Sequence, residues 1–166
     1  AAGTTGTNTT PTNSGSVNED EVRRMKLGPR QKQWLEDLPK YKKAEGTLCA
    51  GRSFCCLGVY AHTQVEAPWE KQSWGYEYTS ALGRQTLGTL AREDWQALGL
   101  RGEAGELRYP IKVKGTPFYS LTELNDHGPF TNHAQMADFI REHADKIFTE
   151  PATCDKLQVT LIVSSV

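Results

Sequence analysis

Two adjacent cysteines, Cys55 and Cys56, two histidines, His62 and His127, and the pair Asn125-Asp126 are the residues of this chain whose types could do covalent chemistry. A cysteine hydrolase needs a thiol whose pKa is lowered by a neighbouring histidine or a helix N-terminus, and an amide or carboxylate to orient the histidine. Cys55 or Cys56 as nucleophile, His127 or His62 as base, and Asn125 or Asp126 as orienting group supply each part. Whether they meet is a matter of tertiary structure, and cysteine is among the residues most often buried for packing. Packing is therefore expected before catalysis. A zinc site built from Cys49, Cys55, Cys56 and His62 fits less well, because structural zinc draws on ligand pairs roughly two to four residues apart, so that both reach one ion. No cofactor or metal is expected. Asn125-Asp126 has a local explanation at a helix C-terminus before Gly128, where such side chains bond nearby backbone groups. His127, His133 and His143 read as exposed or capping. No phosphate-binding glycine loop, metalloprotease helix or calcium loop is present.

The elements that must position these residues centre on the stretch 46–61, which has a Gly-centred turn at Ala50-Gly51-Arg52-Ser53 and then an unbroken apolar run. It reads as a tight hairpin whose second arm, residues 54–60, goes straight into the core. Before it, Asn18-Glu19-Asp20-Glu21 is a capping box that starts a helix. Gly28-Pro29 interrupts that helix and Pro29 opens another over 30–38, with Trp34, Leu35 and Leu38 as its apolar stripe and Pro39 as its stop. Residues 40–46 form a short basic loop. After the hairpin, residues 62–84 are an irregular aromatic excursion with one short strand over 74–78, whose alternating Trp74, Tyr76 and Tyr78 line one face. With Trp69 they make a candidate contact surface. Residues 89–98 read as a helix stopped by Gly99, with Leu90, Trp95 and Leu98 inward. Residues 109–114 alternate apolar and basic, a strand that Pro110 puts at an edge or start and that Gly115-Thr-Pro117 ends. Ser120-Leu-Thr-Glu123 caps a helix over 121–126, and Asn132 with Gln135 caps another whose buried stripe is Met136, Ile140, Ala144 and Ile147. A DNA-reading role for that helix pair is disfavoured by the mixed charges on the second helix.

The 166 residues suffice for one domain with a sizeable core, and the net charge of −1 gives no reason to expect nucleic acid or an anionic membrane as partner. No stretch approaches the roughly 20 apolar residues of a membrane span. The N-terminus lacks the basic and apolar regions of a signal peptide, so a cytosolic product with reduced thiols is expected. Residues 1–17 are a different material, Thr, Gly, Asn and Ser without a single charge. They form either a flexible tail or an extended arm that orders against a partner subunit, with Thr4, Thr5 and Thr10 as partner-binding residues. Residues 157–163 have a strand's alternation and must pair within the domain or with another chain.

With these pieces placed, the chain resembles a family of small, mostly uncharacterised proteins encoded by bacteriophages and prophages. The resemblance spans residues 33–147. It rests on the Trp34–Leu38 helix, Tyr41-Lys42, Gly46-Thr-Leu48, the block Phe54-Cys-Cys-Leu-Gly-Val59, the segment around Trp95 and Leu100, and Leu121-x-x-Leu-Asn-Asp-x-Gly128. Relatives commonly continue the Cys-Cys block into a further Cys and Asp, whereas Ala61-His62 stand here. The family carries over no activity. The resulting expectation is an α+β single domain over 18–166: short strands (the central hairpin, 109–114 and 157–163) covered by three or four helices, with residues 1–17 as an extended arm. Its expected function is that of a non-enzymatic phage structural or accessory protein, capsid-decorating or virion-associated, that binds neighbouring subunits or itself through the arm and the last strand. An intracellular protein that binds or inhibits a host factor through residues 69–78, and a Cys/His hydrolase, are the alternatives; the location is the virion or the host cytoplasm.

Overall fold

The computed structural model describes residues 27–149. The helix expected from Asn18, the arm with Thr4, Thr5 and Thr10, and the strand expected over 157–163 lie outside the described residues. The fold is α+β: small sheets of two and three strands covered by short helices. Among the described residues no helix is long and apolar enough to cross a membrane.

Pro29 opens helix α1 (Pro29–Asp37), at the one helical position where a missing N–H has no cost. Gln31 caps it, accepting from the Gly28 N–H at 2.9 Å while its Nε2 donates to the Leu98 carbonyl at 2.9 Å. Trp34, Leu35 and Leu38 are buried as their spacing requires; each such side chain removed from water contributes about 1.5–3 kcal/mol. Pro39 does not stop the chain at once. A 3-10 turn, Leu38–Lys40, carries it on. The expected basic loop then contributes a two-residue strand, β1 (Lys42–Lys43).

The hairpin forms, but its second arm is a correction to the sequence reading. Strand β2 (Cys49–Ala50) pairs antiparallel with β3 (Ser53–Phe54), and β1 joins β3 in parallel to give the order β1-β3-β2. Residues 54–60 are not one long strand, because Cys56–Tyr60 is helix α2. A short apolar run has no period that separates a buried strand from a buried helix. Within the helix, Gly58 permits a close approach of backbones. A Cβ at that position would lie 1.8 Å from the Leu48 carbonyl oxygen, so the helix rests directly on the backbone that leads into β2. From α2 the chain passes into a π-helical turn, Ala61–Val65, closed by Glu66 with φ 59°.

Strands β4 (Trp69–Gln72), β5 (Gly75–Thr79) and β6 (Gln85–Thr86) form a second sheet in that order. Trp74 falls in the β4–β5 turn, so the expected common face of Trp74, Tyr76 and Tyr78 does not exist. The expected helix over 89–98 begins later, as α3 (Arg92–Leu98), because Ala91, its N-cap, is extended. Gly99 closes it, and Leu90 and Leu98 are buried. Gly115-Thr-Pro117 does not end a lone strand. Lys114 and Gly115, with φ of 50° and 84°, form a two-residue turn of the kind that joins hairpin strands. The turn connects β7 (Glu106–Val113) to β8 (Thr116–Ser120).

Ser120 caps α4 (Leu121–His127) by accepting from the Glu123 N–H at 3.2 Å. Asn132 caps α5 (His133–Glu142) through the Gln135 N–H at 3.0 Å. His143 then breaks the expected long helix, and α6 (Ala144–Ile147) follows. One cluster of buried side chains joins the helices to β2, β3, β5, β7 and β8, with Trp34 meeting Phe148 edge to face at 6.2 Å and Met136, Ile140 and Ile147 packed into the same core.

Candidate functional site

The cysteine pair sits where the hairpin, α1 and α4 converge. Cys55 is extended, and its thiol accepts from the Gly58 N–H at 3.3 Å, which makes it the N-cap of α2. The next residue is held from three directions. Its N–H donates to Asn125 Oδ1 at 3.0 Å, its carbonyl accepts from Trp34 Nε1 at 2.8 Å, and its sulfur lies 3.9 Å from the Leu121 carbonyl. A helix's first N–H groups have no partner within the helix, and Asn125 supplies one from 69 residues away.

The local explanation of Asn125-Asp126 is therefore corrected. Asn125 is 1% exposed, and its Nδ2 donates to the Ala44 carbonyl at 2.8 Å and to Asp126 Oδ1 at 2.9 Å. The same Asp126 oxygen accepts from the Gly46 N–H at 3.0 Å. These two residues pin the entry to the hairpin, 80 residues back in the chain, onto α4 and α2. A turn residue bonding its own loop would not do this.

His133 is a second correction. It is 1% exposed, neither at the surface nor a cap, and its Nε2 lies 2.7 Å from the Phe54 carbonyl. A carbonyl only accepts, so Nε2 carries the proton and Nδ1 is left as a buried lone pair without a partner. Burial holds this imidazole below its ordinary value, the Phe54 carbonyl works against that, and the charge of Lys43 adds to it. Phe54 O also receives the Ala44 N–H at 2.9 Å, so His133 and Asn125 grip the same pair of strands.

The chemistry this allows is limited. Burial pushes the Cys55 thiol up to about 12 and the Cys56 thiol well above its ordinary value, and the nearby Asp126 carboxylate raises both further. A nucleophile requires the opposite shift. Asn125 reaches the backbone of Cys56 and not its sulfur. His127 is exposed at the end of α4. His62, exposed in the π-helical turn, stacks on Phe54 at 4.5 Å and accepts from Trp69 Nε1 at 3.2 Å. Cys49 is buried in β2, with burial again raising its thiol. Among the described residues no three His, Cys, Asp or Glu side chains gather to hold a metal ion.

The aromatic run divides between inside and outside. Tyr78 is fully buried, donating to Asp94 Oδ2 at 2.8 Å and accepting from the Ala91 N–H at 3.0 Å. Trp69 is half-buried between Phe54 and Tyr78. Tyr76 is half-buried, with the Lys71 ammonium 6.0 Å from its ring centre, and Trp74 is exposed, donating to Glu77 Oε2 at 3.3 Å. An open cleft of about 470 Å³ lies away from the cysteines, lined by Trp95 and by charges of both signs, Arg84, Arg92, Glu103 and Glu106. Sequence reasoning missed the burial of His133 and the outer face of the β7–β8 hairpin; the alternation through Pro117 and Tyr119 was the available signal for the latter. Set against protein-family models, curated proteins and solved structures, the chain finds no match.

Proposed function

We propose that this chain is a non-enzymatic, phage-encoded structural or accessory protein, associated with the virion, whose residues 1–17 and 157–163 bind neighbouring subunits. The observation that supports a binding role over a hydrolytic one is the Cys55-Cys56 and Asn125-Asp126 junction. The side chains best equipped for catalysis are spent on holding backbone, with thiols that burial keeps protonated. The uncharged composition of residues 1–17 suits an arm that bonds through its main chain along a neighbour's surface. The phage assignment follows from the resemblance in the Phe54–Val59 and Leu121–Gly128 blocks.

Mass spectrometry of purified particles of the source phage tests this reading. A fixed ratio of the chain to the major capsid protein is expected, and deletion of residues 1–17 should abolish incorporation. Absence from particles, with the chain abundant in infected cells, would overturn the reading in favour of a host-factor binder.

A further inference from the structure

Among the described residues four large apolar side chains stand far out in solvent, and two of them, Tyr109 and Tyr119, each 57% exposed, belong to the β7–β8 hairpin. The other two, Trp74 and Leu82, sit in separate turns at either end of β5. Register fixes how the hairpin's faces divide. Ile111 opposes Phe118 and both are buried, whereas Lys112 opposes Pro117 and both are exposed. Side chains alternate along a strand, so Pro110 and Tyr119 continue that outer face. The irregularity in register between Glu106 and Ile111 leaves Arg108 and Tyr109 exposed as well. The Arg108 guanidinium lies 5.3 Å from the centre of the Tyr109 ring.

The exposed charges of this surface are cations. Arg108, Lys112 and Lys114 are exposed, and among the described residues the ion pairs are made by Lys40, Lys43 and Arg141, not by these three. The acids of the hairpin and of the helix after it are turned to backbone. Glu106 accepts from the Ala104 N–H at 3.0 Å, and Glu123 accepts from the Tyr119 N–H at 2.8 Å. That second bond also blocks the edge of β8. Pro117 has no N–H and that of Tyr119 is taken, so an added strand finds no donor at either residue. A partner therefore meets the face and not the edge. Tyrosine and arginine are the side chains that carry much of the energy at protein interfaces, and three cations outside any ion pair, in excess over the backbone-bound carboxylates of Glu106 and Glu123, favour an acidic surface.

We propose that the outer face of the β7–β8 hairpin docks an acidic segment of a partner protein. This rests on the subunit-binding reading above and gives it a surface inside the described domain. A nucleic acid would use the same cations and stack on the tyrosines. The chain's net charge of −1, however, provides no wider positive field to gather phosphates, and so an acidic peptide is favoured.

The test uses the purified full-length chain at low salt, with fluorescence anisotropy of a labelled octaglutamate peptide and, separately, of a labelled octathymidine oligonucleotide. The peptide is expected to bind, with affinity lowered about tenfold or more by R108E/K112E/K114E and unchanged by R84E/R92E, which reverses two exposed arginines elsewhere. Tyr119→Ala should lower it several-fold, as a contact surface requires and a diffuse field does not. Circular dichroism checks that each variant is folded, as substitutions at exposed positions should be. No peptide binding, equal loss in both charge-reversal variants, or tighter binding of the oligonucleotide through the same residues would overturn the proposal. Self-association of the chain that R108E/K112E/K114E abolishes would overturn it too, by making a second copy the occupant. Particle occupancy is not read in this experiment, so its failure and the failure of the virion assignment are separate outcomes.

Discussion

At the scale of single residues, Asn125 holds more of this fold than any local pattern suggests. Three hydrogen bonds, to Cys56, Ala44 and Asp126, converge on one buried amide. Asn125→Ala strands the Cys56 N–H and the Ala44 carbonyl and should cost about 2–4 kcal/mol, read as a lower urea midpoint at unchanged slope. The cysteines have a different expected signature. In a Cys154→Ser background, the thiols of Cys49, Cys55 and Cys56 should react with a chromogenic disulfide only at the rate of unfolding, because all three are buried and shifted up; a rapid native-state thiol would contradict the packing role. His133 sets a pH dependence. Its native pKa lies below the ordinary 6.5, so between the two values the unfolded chain binds a proton that the native chain refuses. Stability is then at its full value above pH 6.5 and falls as the pH drops from there toward the native pKa. Urea titrations from pH 8 to 5 check this, and His133→Gln, which keeps a donor for the Phe54 carbonyl, should reduce the slope. His143, also shifted down by burial, contributes a remainder of the same sign.

At the scale of elements, two backbone positions are informative. Gly58 brings α2 onto the Leu48 carbonyl, and the contact is with backbone, which cannot swing aside. Gly58→Ala should cost about 3 kcal/mol or more, on the scale of severe overpacking, and thermal unfolding measures it. Lys114 offers the opposite test. It holds φ 50° at the first central position of the β7–β8 turn, where asparagine is at less cost. Lys114→Asn should raise stability by about 0.5 kcal/mol, and an unchanged or lower midpoint would mean that the turn geometry differs from that described. Elements that carry their own grammar were readable in advance. Ser120 with Glu123 and Asn132 with Gln135 cap the helices they should, because a cap is a contact among neighbours in sequence. The run 54–60 carries no such grammar, and its pattern reads as strand where Cys56–Tyr60 is helix.

At the scale of the whole molecule, the described residues close one core from hairpin, helices and hairpin. Deletion of residues 1–17 should leave the thermal midpoint of the purified chain unchanged while removing it from particles; a large fall in the midpoint would make the arm part of the domain. The sequence by itself determined the composition of the domain, the apolar stripes of α1 and α5, the caps, and the burial of the Cys-Cys block. Each follows from periodicity or from bonds within a turn of chain. Only the tertiary structure decided that Cys56–Tyr60 is helical, that Asn125 and Asp126 reach back to Ala44, Gly46 and Cys56, that His133 is buried on Phe54, and that Tyr109 and Tyr119 share an exposed hairpin with unpaired cations. Those outcomes depend on which backbone groups, some 70 to 80 residues apart, are left without partners once the core has closed, and a sequence read one neighbourhood at a time carries no account of those absent partners.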